Sequence, residues 1–246
     1  MTKCWAVTHV GKVRCSNEDF VEVSSRPPEG KLDCWEGDLS YDYGWGLVAD
    51  GMGGHAAGEI ASELAIELLR PVMHLLDDEA EVLLALNATN GGLFDAMERN
   101  PALEGMGTTV AGVVLRGTEA LTFNVGDSRI YTFSNNRLAK ISCDHVVNGN
   151  QLTQCLGASG QMSLRPHVSR FALGPYSNLV ICSDGLTDMV TDEEIAESLA
   201  VHSANPALKL VDAALRAGGI DNISVVVLEI SEGGQVGDSL SVHQNG

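Results

Sequence analysis

Residues 43–62 read YGWGLVADGMGGHAAGEIAS, and the pattern changes character halfway along this stretch. Residues 43–49 form a short apolar run, typical of a buried strand, which ends at Asp50-Gly51. From Gly58 onward the apolar side chains recur with the period of a helix. The sequence therefore predicts a buried strand that enters a tight turn beside a carboxylate and leaves that turn as a helix.

The remaining pattern predicts one α+β domain with sheets at its centre and helices outside. Apolar runs predict strands at 4–10, 19–24, 108–115, 120–125, 129–134, 137–141, 167–171, 178–182 and 223–230. Helices are predicted from residue 58, between residues 83 and 97 with a break or bend near Asn90-Gly91-Gly92, and at 192–201 and 206–217. Segments 29–43 and 142–166 are predicted to be loops. We expect the domain to occupy 1–232, followed by a polar, disordered tail at 233–246.

The composition narrows the possible partners. The 246 residues include 15 Lys+Arg against 33 Asp+Glu, a formal net charge of -18. Such a charge disfavours nucleic acid or an anionic membrane surface as a partner. The 6 cysteines are scattered without a C-x-x-C pair, and no secretory signal or membrane-spanning run is present. We therefore expect a cytoplasmic protein, acting as a monomer, with free thiols.

Aspartates recur at the ends of the predicted strands. Asp50, Asp127, Asp184 and Asp221 each lie next to an apolar run and precede Gly or a small polar residue, whereas Asp19 opens a strand. Each one alone is equally well explained as an Asx turn or a helix cap. Together they would repel one another at the rim of the sheets unless cations were present. Hard oxygen ligands with few His or Cys favour Mg²⁺ or Mn²⁺ over zinc.

Three competing motifs fail. Residues 51–56 fit G-x-G-x-x-A, but no second strand with a terminal acid follows, and Asp50 would face the pyrophosphate. No Gly-Lys-Ser/Thr is present for a Walker loop. An EF-hand beginning at Asp184 would place Met189 at the required Gly and Ile195 at the bidentate Glu.

Taken in order, the segments resemble the metal-dependent protein Ser/Thr phosphatases of the PP2C (PPM) type, in their bacterial form. The matching stretches are Gly11-Lys-Val-Arg14, Asn17-Glu18-Asp19, Asp50-Gly-Met-Gly-Gly-His55-Ala-Ala-Gly58-Glu59-Ile-Ala-Ser62, Met106-Gly-Thr-Thr109, Asn124-Val-Gly-Asp127-Ser-Arg129, Cys182-Ser-Asp184-Gly-Leu-Thr-Asp188 and Gly218-Gly-Ile-Asp221-Asn222-Ile-Ser-Val-Val. They run from about residue 8 to 230, nearly the whole chain.

The resemblance implies a four-layer α-β-β-α sandwich with two Mn²⁺ or Mg²⁺ ions at one end of the sheets, and a third, weaker ion. It implies the following ligands: Asp50 bridging two ions, the Gly51 carbonyl on the first ion, Asp184 and Asp221 on the second, Asp19 and Glu18 through metal waters, and Asp127 with Asp184 for the third ion. Arg14 matches the phosphate-binding arginine, whose planar fork of donors suits that role. Asn222 would support the site through hydrogen bonds to the ligands' surroundings.

The implied reaction is hydrolysis of phosphoserine and phosphothreonine in proteins by in-line attack of a metal-activated hydroxide. His55 is a candidate for the acid that protonates the leaving alkoxide, and it is equally well explained as a structural residue. The implied partners are phosphorylated proteins and a cytoplasmic Ser/Thr kinase whose action the enzyme opposes. One alternative is a catalytically weak binding or regulatory module. Another is a phosphatase dedicated to one pathway, such as sporulation, stress response or secretion.

One region departs from the family pattern. Asp144-His145 is followed by Val-Val-Asn148, and only ten residues separate His145 from Leu156 in Leu156-Gly157. The family has a longer helical flap here, which borders the third-metal site and the substrate approach. The sequence therefore predicts a shortened flap, a more open site, altered substrate selectivity and a weaker or absent third metal.

Overall fold

The computed structural model describes residues 2–25, 33–40, 43–53, 57–149, 151–158 and 163–230. The strands are β1 (Thr2–His9), β2 (Asp19–Val23), β3 (Cys34–Leu39), β4 (Gly44–Met52), β5 (Gly107–Thr108), β6 (Val110–Arg116), β7 (Glu119–Val125), β8 (Arg129–Ser134), β9 (Arg137–Lys140), β10 (Val146–Val147), β11 (Gln151–Leu152), β12 (Leu156–Gly157), β13 (His167–Ala172), β14 (Asn178–Cys182) and β15 (Ile223–Ile230). The α-helices are α1 (Ala57–Leu69), α2 (Glu79–Arg99), α3 (Asp184–Thr187), α4 (Asp192–Ala200) and α5 (Pro206–Ala217), with 3-10 turns at Arg70–Leu75 and Pro101–Leu103.

Two antiparallel sheets form the centre of the molecule. The first sheet has the order β3-β1-β15-β14-β8-β9. The second has the order β12-β5-β4-β6-β7-β13, with β2 also paired to β4. A separate hairpin joins β10 to β11.

Both faces of each sheet are buried, which explains the near-continuous apolar strands. Along β15, Val225 and Val227 face the layer that contains α5, whereas Val226 and Leu228 face the other sheet. Helices α1 and α2 pack on the outer face of the second sheet. The layers therefore run helix, sheet, sheet, helix, and the predicted α+β sandwich is confirmed. Within the described residues, no helix is long and apolar enough to cross a bilayer.

The strands meet at one common edge, which we call the rim. Here His9 at the end of β1 pairs with Ile223 at the start of β15, and Cys182 at the end of β14 pairs with Val225. In the second sheet, Val125 at the end of β7 pairs with Val110 at the start of β6. Because antiparallel neighbours begin and end at the same edge, residues distant in sequence are brought together there.

The prediction of a loop over 29–43 was wrong in part, because β3 lies within it. This strand pairs with β1 at the edge of the first sheet, and most of its residues are exposed or only partly buried. An edge strand with polar, exposed side chains carries little of the apolar pattern that reveals a buried one.

The predicted break in the second helix was also wrong, because α2 continues through Asn90-Gly91-Gly92. The Asn90 side chain is buried, and its Oδ1 accepts a hydrogen bond of 2.8 Å from the backbone N–H of Gly157. A tertiary contact thus stabilises helical residues whose intrinsic helix propensity is low.

Gly91 and Gly92 allow a direct test of this continuous helix. Gly91 is exposed and a Cβ added there would meet no neighbouring atom, so Gly91→Ala should raise the free energy of unfolding by about 0.5–1 kcal/mol. At Gly92 a Cβ would lie 2.5 Å from Leu68 Cδ1, so Gly92→Ala should gain less. Urea unfolding of both variants measures the difference. Equal gains, or destabilisation by Gly91→Ala, would contradict a regular helix here.

Candidate functional site

A cavity of about 290 Å³ opens at the rim, between the ends of the two sheets. It is lined by Arg14, Glu18, Asp50, Gly51, Met52, Gly53, Thr109, Asp127, Leu152, Asp184, Asp221 and Asn222. A larger cavity of about 580 Å³ lies between α4 and α5, but it holds none of the rim aspartates. The smaller cavity is therefore the candidate site, because the rim aspartates line it, and we call it the rim cavity.

Asp19 and Asp50 lie directly opposite each other on β2 and β4. Val21 and Val48, two residues further along each strand, also pair and face the other sheet, so the two-residue period turns both carboxylates the same way. Like charges in this position destabilise a sheet. Burial raises the pKa of Asp19 to about 6, and burial with the charges of Asp19 and Asp184 raises the pKa of Asp50 well above its ordinary value.

Two more carboxylates enter the cavity from the neighbouring strand ends. Asp184 opens α3 directly after β14, and burial together with the charges of Asp127 and Asp188 raises its pKa to about 7. Asp127 follows β7, and burial is also the largest cause that raises its pKa. The site thus collects the buried Asp19 and the partly buried Asp50, Asp127 and Asp184, whose carboxyl groups disfavour one another's ionised form.

Unpaired oxygens show that this arrangement fits a cation. Among the described residues, Asp19 Oδ1 and Asp184 Oδ1 are buried and have no hydrogen-bond partner. A buried carboxylate oxygen without a partner is costly, and a divalent cation would supply one. In the same described part of the chain, no group of three or more His, Cys, Asp or Glu side chains is placed so that it could hold a metal ion by itself. Mg²⁺-type ions keep several water ligands and need few protein ligands, so the donor set still fits.

Hydroxyl groups contact both residues of the opposed pair, the carboxylate of Asp19 and the backbone of Asp50. Ser183 donates a hydrogen bond of 2.8 Å to Asp19 Oδ2 and accepts one of 3.0 Å from the Ser224 N–H, which leaves Asp19 Oδ1 free. Thr109 Oγ1 accepts a hydrogen bond of 3.1 Å from the Asp50 N–H. Sequence reasoning assigned no role to Ser183 or Thr109. Both residues lie within stretches that match the family pattern, but their roles were not visible in the sequence because the contacts cross between strands.

Asn222 holds the loop that carries Arg14 and Glu18. Its Nδ2 donates hydrogen bonds of 2.9 Å to the carbonyls of Val10 and Ser16, and its Oδ1 accepts one of 2.8 Å from the Glu18 N–H. The residue is buried, so each of these backbone groups would lose its partner if the amide were removed.

Arg14 reaches over the cavity from this loop. Its guanidinium donates a hydrogen bond of 2.6 Å to Asp221 Oδ2, and both side chains are partly exposed, at 53% and 33%. Burial raises the pKa of Glu18, which lies beside the same cavity. The rim cavity therefore has one guanidinium at its mouth and carboxylates in its interior.

Gly51 needs to be glycine, because a Cβ there would collide with the carbonyl oxygen of Gly58. The structure thus brings Arg14, Glu18, Asp19, Asp50, Gly51, Asp127, Asp184, Asp221 and Asn222 to one site. His55 lies outside the described residues, as does the predicted tail at 233–246.

The segment predicted to be a shortened flap forms the β10–β11 hairpin, in which Val146 pairs with Leu152. The described residues 142–149, 151–158 and 163–166 contain no helix. Leu152 reaches the rim cavity, and beside it a smaller space of about 80 Å³ is lined in part by Asp127, Asp144 and Asp188.

Comparisons with known proteins show the family of the chain. The family model described as protein phosphatase 2C matches residues 37–216. The serine/threonine protein phosphatase PstP of Mycobacterium tuberculosis is 34% identical over 243 residues, which cover 89% of this chain but 43% of that protein. The chain thus spans less than half the length of this relative. The serine/threonine phosphatase stp of Listeria welshimeri is 32% identical over 211 residues, covering 74% of this chain and 83% of that protein.

A solved structure shows the same fold. The catalytic domain of PstP in complex with two manganese ions superimposes with a TM-score of 0.77 at 29% identity, covering 94% of this chain and all of that one. The M. tuberculosis PstP structure at 1.95 Å gives a TM-score of 0.75 at 30% identity, with the same coverage.

The raised pKa values predict how stability depends on pH when divalent ions are removed. The ordinary pKa of Asp is 3.8, whereas those of Asp19 and Asp184 are about 6 and about 7. At pH values between about 4 and about 7, these two carboxyl groups hold more protons in the folded protein than in the unfolded chain. The free energy of unfolding therefore falls as the pH rises through this range. We expect a lower Tm for EDTA-treated protein at pH 7.5 than at pH 5, with recovery on adding Mn²⁺.

Asp50→Asn provides the matched variant for this experiment. It removes one of the mutually repelling carboxylates, so at pH 7.5 without Mn²⁺ its Tm should exceed that of the wild type. The increase should be about 2–4 °C for each kcal/mol by which the free energy of unfolding rises. Added Mn²⁺ should then raise its Tm less than that of the wild type. An unchanged pH slope, or a lower Tm for the variant under these conditions, would contradict the repulsion.

Proposed function

Because the chain belongs to the protein phosphatase 2C family, we propose that it hydrolyses phosphoserine and phosphothreonine in proteins with the help of Mn²⁺ or Mg²⁺. The observation that carries this proposal is the rim cavity, where buried carboxylates with unpaired oxygens lie beneath a single guanidinium. Carboxylates suit hard divalent cations, and guanidinium suits a phosphoryl group. The manganese-bound PstP structure and the relatives' names support the same reaction.

We assign the carboxylates on the basis of their positions. Asp50 lies opposite Asp19, and the charges of Asp19 and Asp184 both raise its pKa, so Asp50 would be the carboxylate shared by the two cations. When bound, the cations would lower the pKa of the attacking water and offset the charge on the phosphoryl oxygens. The remaining proposed ligands are the Gly51 carbonyl, Asp184, Asp221 and Asp127, with Asp19 and Glu18 acting through water.

Arg14 would bind the phosphoryl group. Its partner Asp221 is one of the proposed cation ligands, so binding of a cation to Asp221 would weaken its hold on the guanidinium. The freed fork of N–H donors could then form two parallel hydrogen bonds to phosphoryl oxygens. Asn222 would keep Arg14 over the cavity by fixing the carbonyl of Ser16 and the N–H of Glu18.

The remaining cellular assignments extend the proposal. We place the chain in the cytoplasm as a monomer that opposes a Ser/Thr kinase, and we keep His55 as the candidate acid for the leaving alkoxide. The charge of -18 supports a phosphoprotein over nucleic acid as the substrate, because the phosphate would be recognised through cations and Arg14. Phosphoproteomes of cells with and without the protein would identify its substrates.

Removal of one carboxylate tests the activity. Asp184→Asn should lower kcat for Mn²⁺-dependent release of p-nitrophenol from p-nitrophenyl phosphate by about 10²-fold or more, because it weakens charge stabilisation in the transition state. Asp212→Asn, an exposed position on α5, should leave kcat unchanged. Turnover without Mn²⁺ or Mg²⁺, or equal loss in both variants, would contradict the mechanism. Absence of turnover in the wild type would favour the alternative of a binding module.

Arg14→Lys tests phosphate recognition separately. Lysine keeps the charge but loses the planar fork, so kcat/KM for a phosphothreonine peptide should fall by about 10-fold or more. Inhibition by inorganic phosphate should weaken in parallel. Arg99→Lys at the exposed end of α2 is the matched control and should behave as the wild type. Unchanged phosphate inhibition in Arg14→Lys would rule out Arg14 as the phosphate-binding residue.

A further inference from the structure

Residues 143–145 are joined to the turn that carries Asp127. The backbone N–H of Gly126 donates a hydrogen bond of 3.0 Å to His145 Nδ1, and the Gly126 carbonyl accepts one of 2.9 Å from the His145 N–H. One residue therefore satisfies both backbone groups next to Asp127. Gly126 has a φ of +105°, and a Cβ there would collide with Thr109, so this position requires glycine. The Gly126 carbonyl also accepts a hydrogen bond of 3.3 Å from Asn124 Nδ2.

The hydrogen bond to the ring fixes the chemical state of His145. A backbone N–H can only donate, so Nδ1 is the acceptor and the proton of the neutral ring lies on Nε2. Burial, with a smaller effect from His167, lowers the pKa of His145 and favours this neutral form. The ring is thus held in a single tautomer by its contact with the turn.

Two further contacts surround this connection. The buried Asn124 donates a hydrogen bond of 2.9 Å to the Cys143 carbonyl. On the other side of Asp127, Arg129 Nε donates one of 2.9 Å to Asp144 Oδ2. The segment 143–145 is therefore bonded on both sides of Asp127, to Asn124 and Gly126 before it and to Arg129 after it.

His145 also lies at the base of the β10–β11 hairpin, in the segment predicted to be a shortened flap. The His145 carbonyl accepts a hydrogen bond of 2.8 Å from the Thr153 N–H, which closes the hairpin at its base. Val146 then pairs with Leu152, and Leu152 lines the rim cavity. A short path of bonded atoms thus runs from the Asp127 turn through His145 to Leu152.

We infer that His145 is a positioning residue that holds the β10–β11 hairpin against the Asp127 turn, so that Leu152 forms an apolar wall for the residues flanking the phosphorylated Ser or Thr. Among the side chains that line the rim cavity, Met52 and Leu152 are the apolar ones, and the others are polar, charged or glycine. Leu152 can contact a peptide that enters the cavity, whereas p-nitrophenyl phosphate has no flanking residues to reach it. The inference rests on the proposed phosphatase function for its kinetic test.

The test compares His145→Leu with His145→Asn. Leucine removes the acceptor, whereas the Oδ1 of asparagine can take the place of Nδ1. At saturating Mn²⁺, His145→Leu should raise KM for a phosphothreonine peptide about tenfold, with kcat and KM for p-nitrophenyl phosphate changed less than about twofold. His145→Asn should return the peptide KM to within about threefold of the wild type. Equal losses on both substrates, or failure of asparagine to restore the peptide KM, would overturn the inference.

Leu152→Ser keeps the test decisive where His145→Leu does not fold. This variant leaves every hydrogen bond of His145 in place and should raise the peptide KM by a larger factor than it changes kcat/KM for p-nitrophenyl phosphate. An unchanged peptide KM would show that Leu152 does not contact the substrate.

Hydrogen exchange separates this inference from the proposed function. The Gly126 amide should exchange at least about tenfold faster in His145→Leu than in the wild type, and at nearly the wild-type rate in His145→Asn. This result would support the positioning role even in a protein without phosphatase activity, whereas absent turnover alone would contradict only the proposed function. Identical exchange rates in all three proteins would overturn the role of His145.

Discussion

The repulsion between Asp19 and Asp50 is the constraint on which the rest of the structure depends. The two carboxylates lie opposite each other because Val21 and Val48 on the same strands are buried between the sheets. A slip of one strand by one residue would separate the carboxylates, but it would also turn the valine of that strand away from the core. The apolar interior thus supplies the stability that offsets a cluster of like charges at its edge.

The sequence was sufficient to predict features that burial and local chemistry determine. The strand that contains Asp50 and the helix that begins at Ala57 each have a pattern of their own, although the strand continues to Met52, beyond the end predicted at Asp50-Gly51. Strand β3 could not be predicted in this way, because its stability comes from pairing with β1 and its side chains are largely exposed. The continuity of α2 at Asn90 depends on a hydrogen bond to Gly157, which no local pattern reveals.

The same distinction applies to the site. The aspartates could be recognised in the sequence because each lies in a short motif. The groups that hold them in position could not be recognised in this way. Ser183 orients Asp19 across the space between the sheets, and His145 contacts a glycine 19 residues away. Such hydrogen bonds depend on the register of strands that are distant in sequence. The motifs therefore predict which groups do the chemistry, and the fold determines which groups hold them still.

The Asn222 contacts affect the order in which the parts of the rim cavity form during synthesis. Asn222 donates a hydrogen bond to the carbonyl of Ser16, which lies 206 residues earlier in the sequence. Strand β1 likewise pairs with β15 along its whole length. A nascent chain can make neither contact until its last strand has left the ribosome. The loop with Arg14 consequently stays unanchored while the carboxylates Asp19, Asp50 and Asp127 are already exposed to the cell's ions. The rim cavity is completed in one late step, when the two ends of the domain are joined.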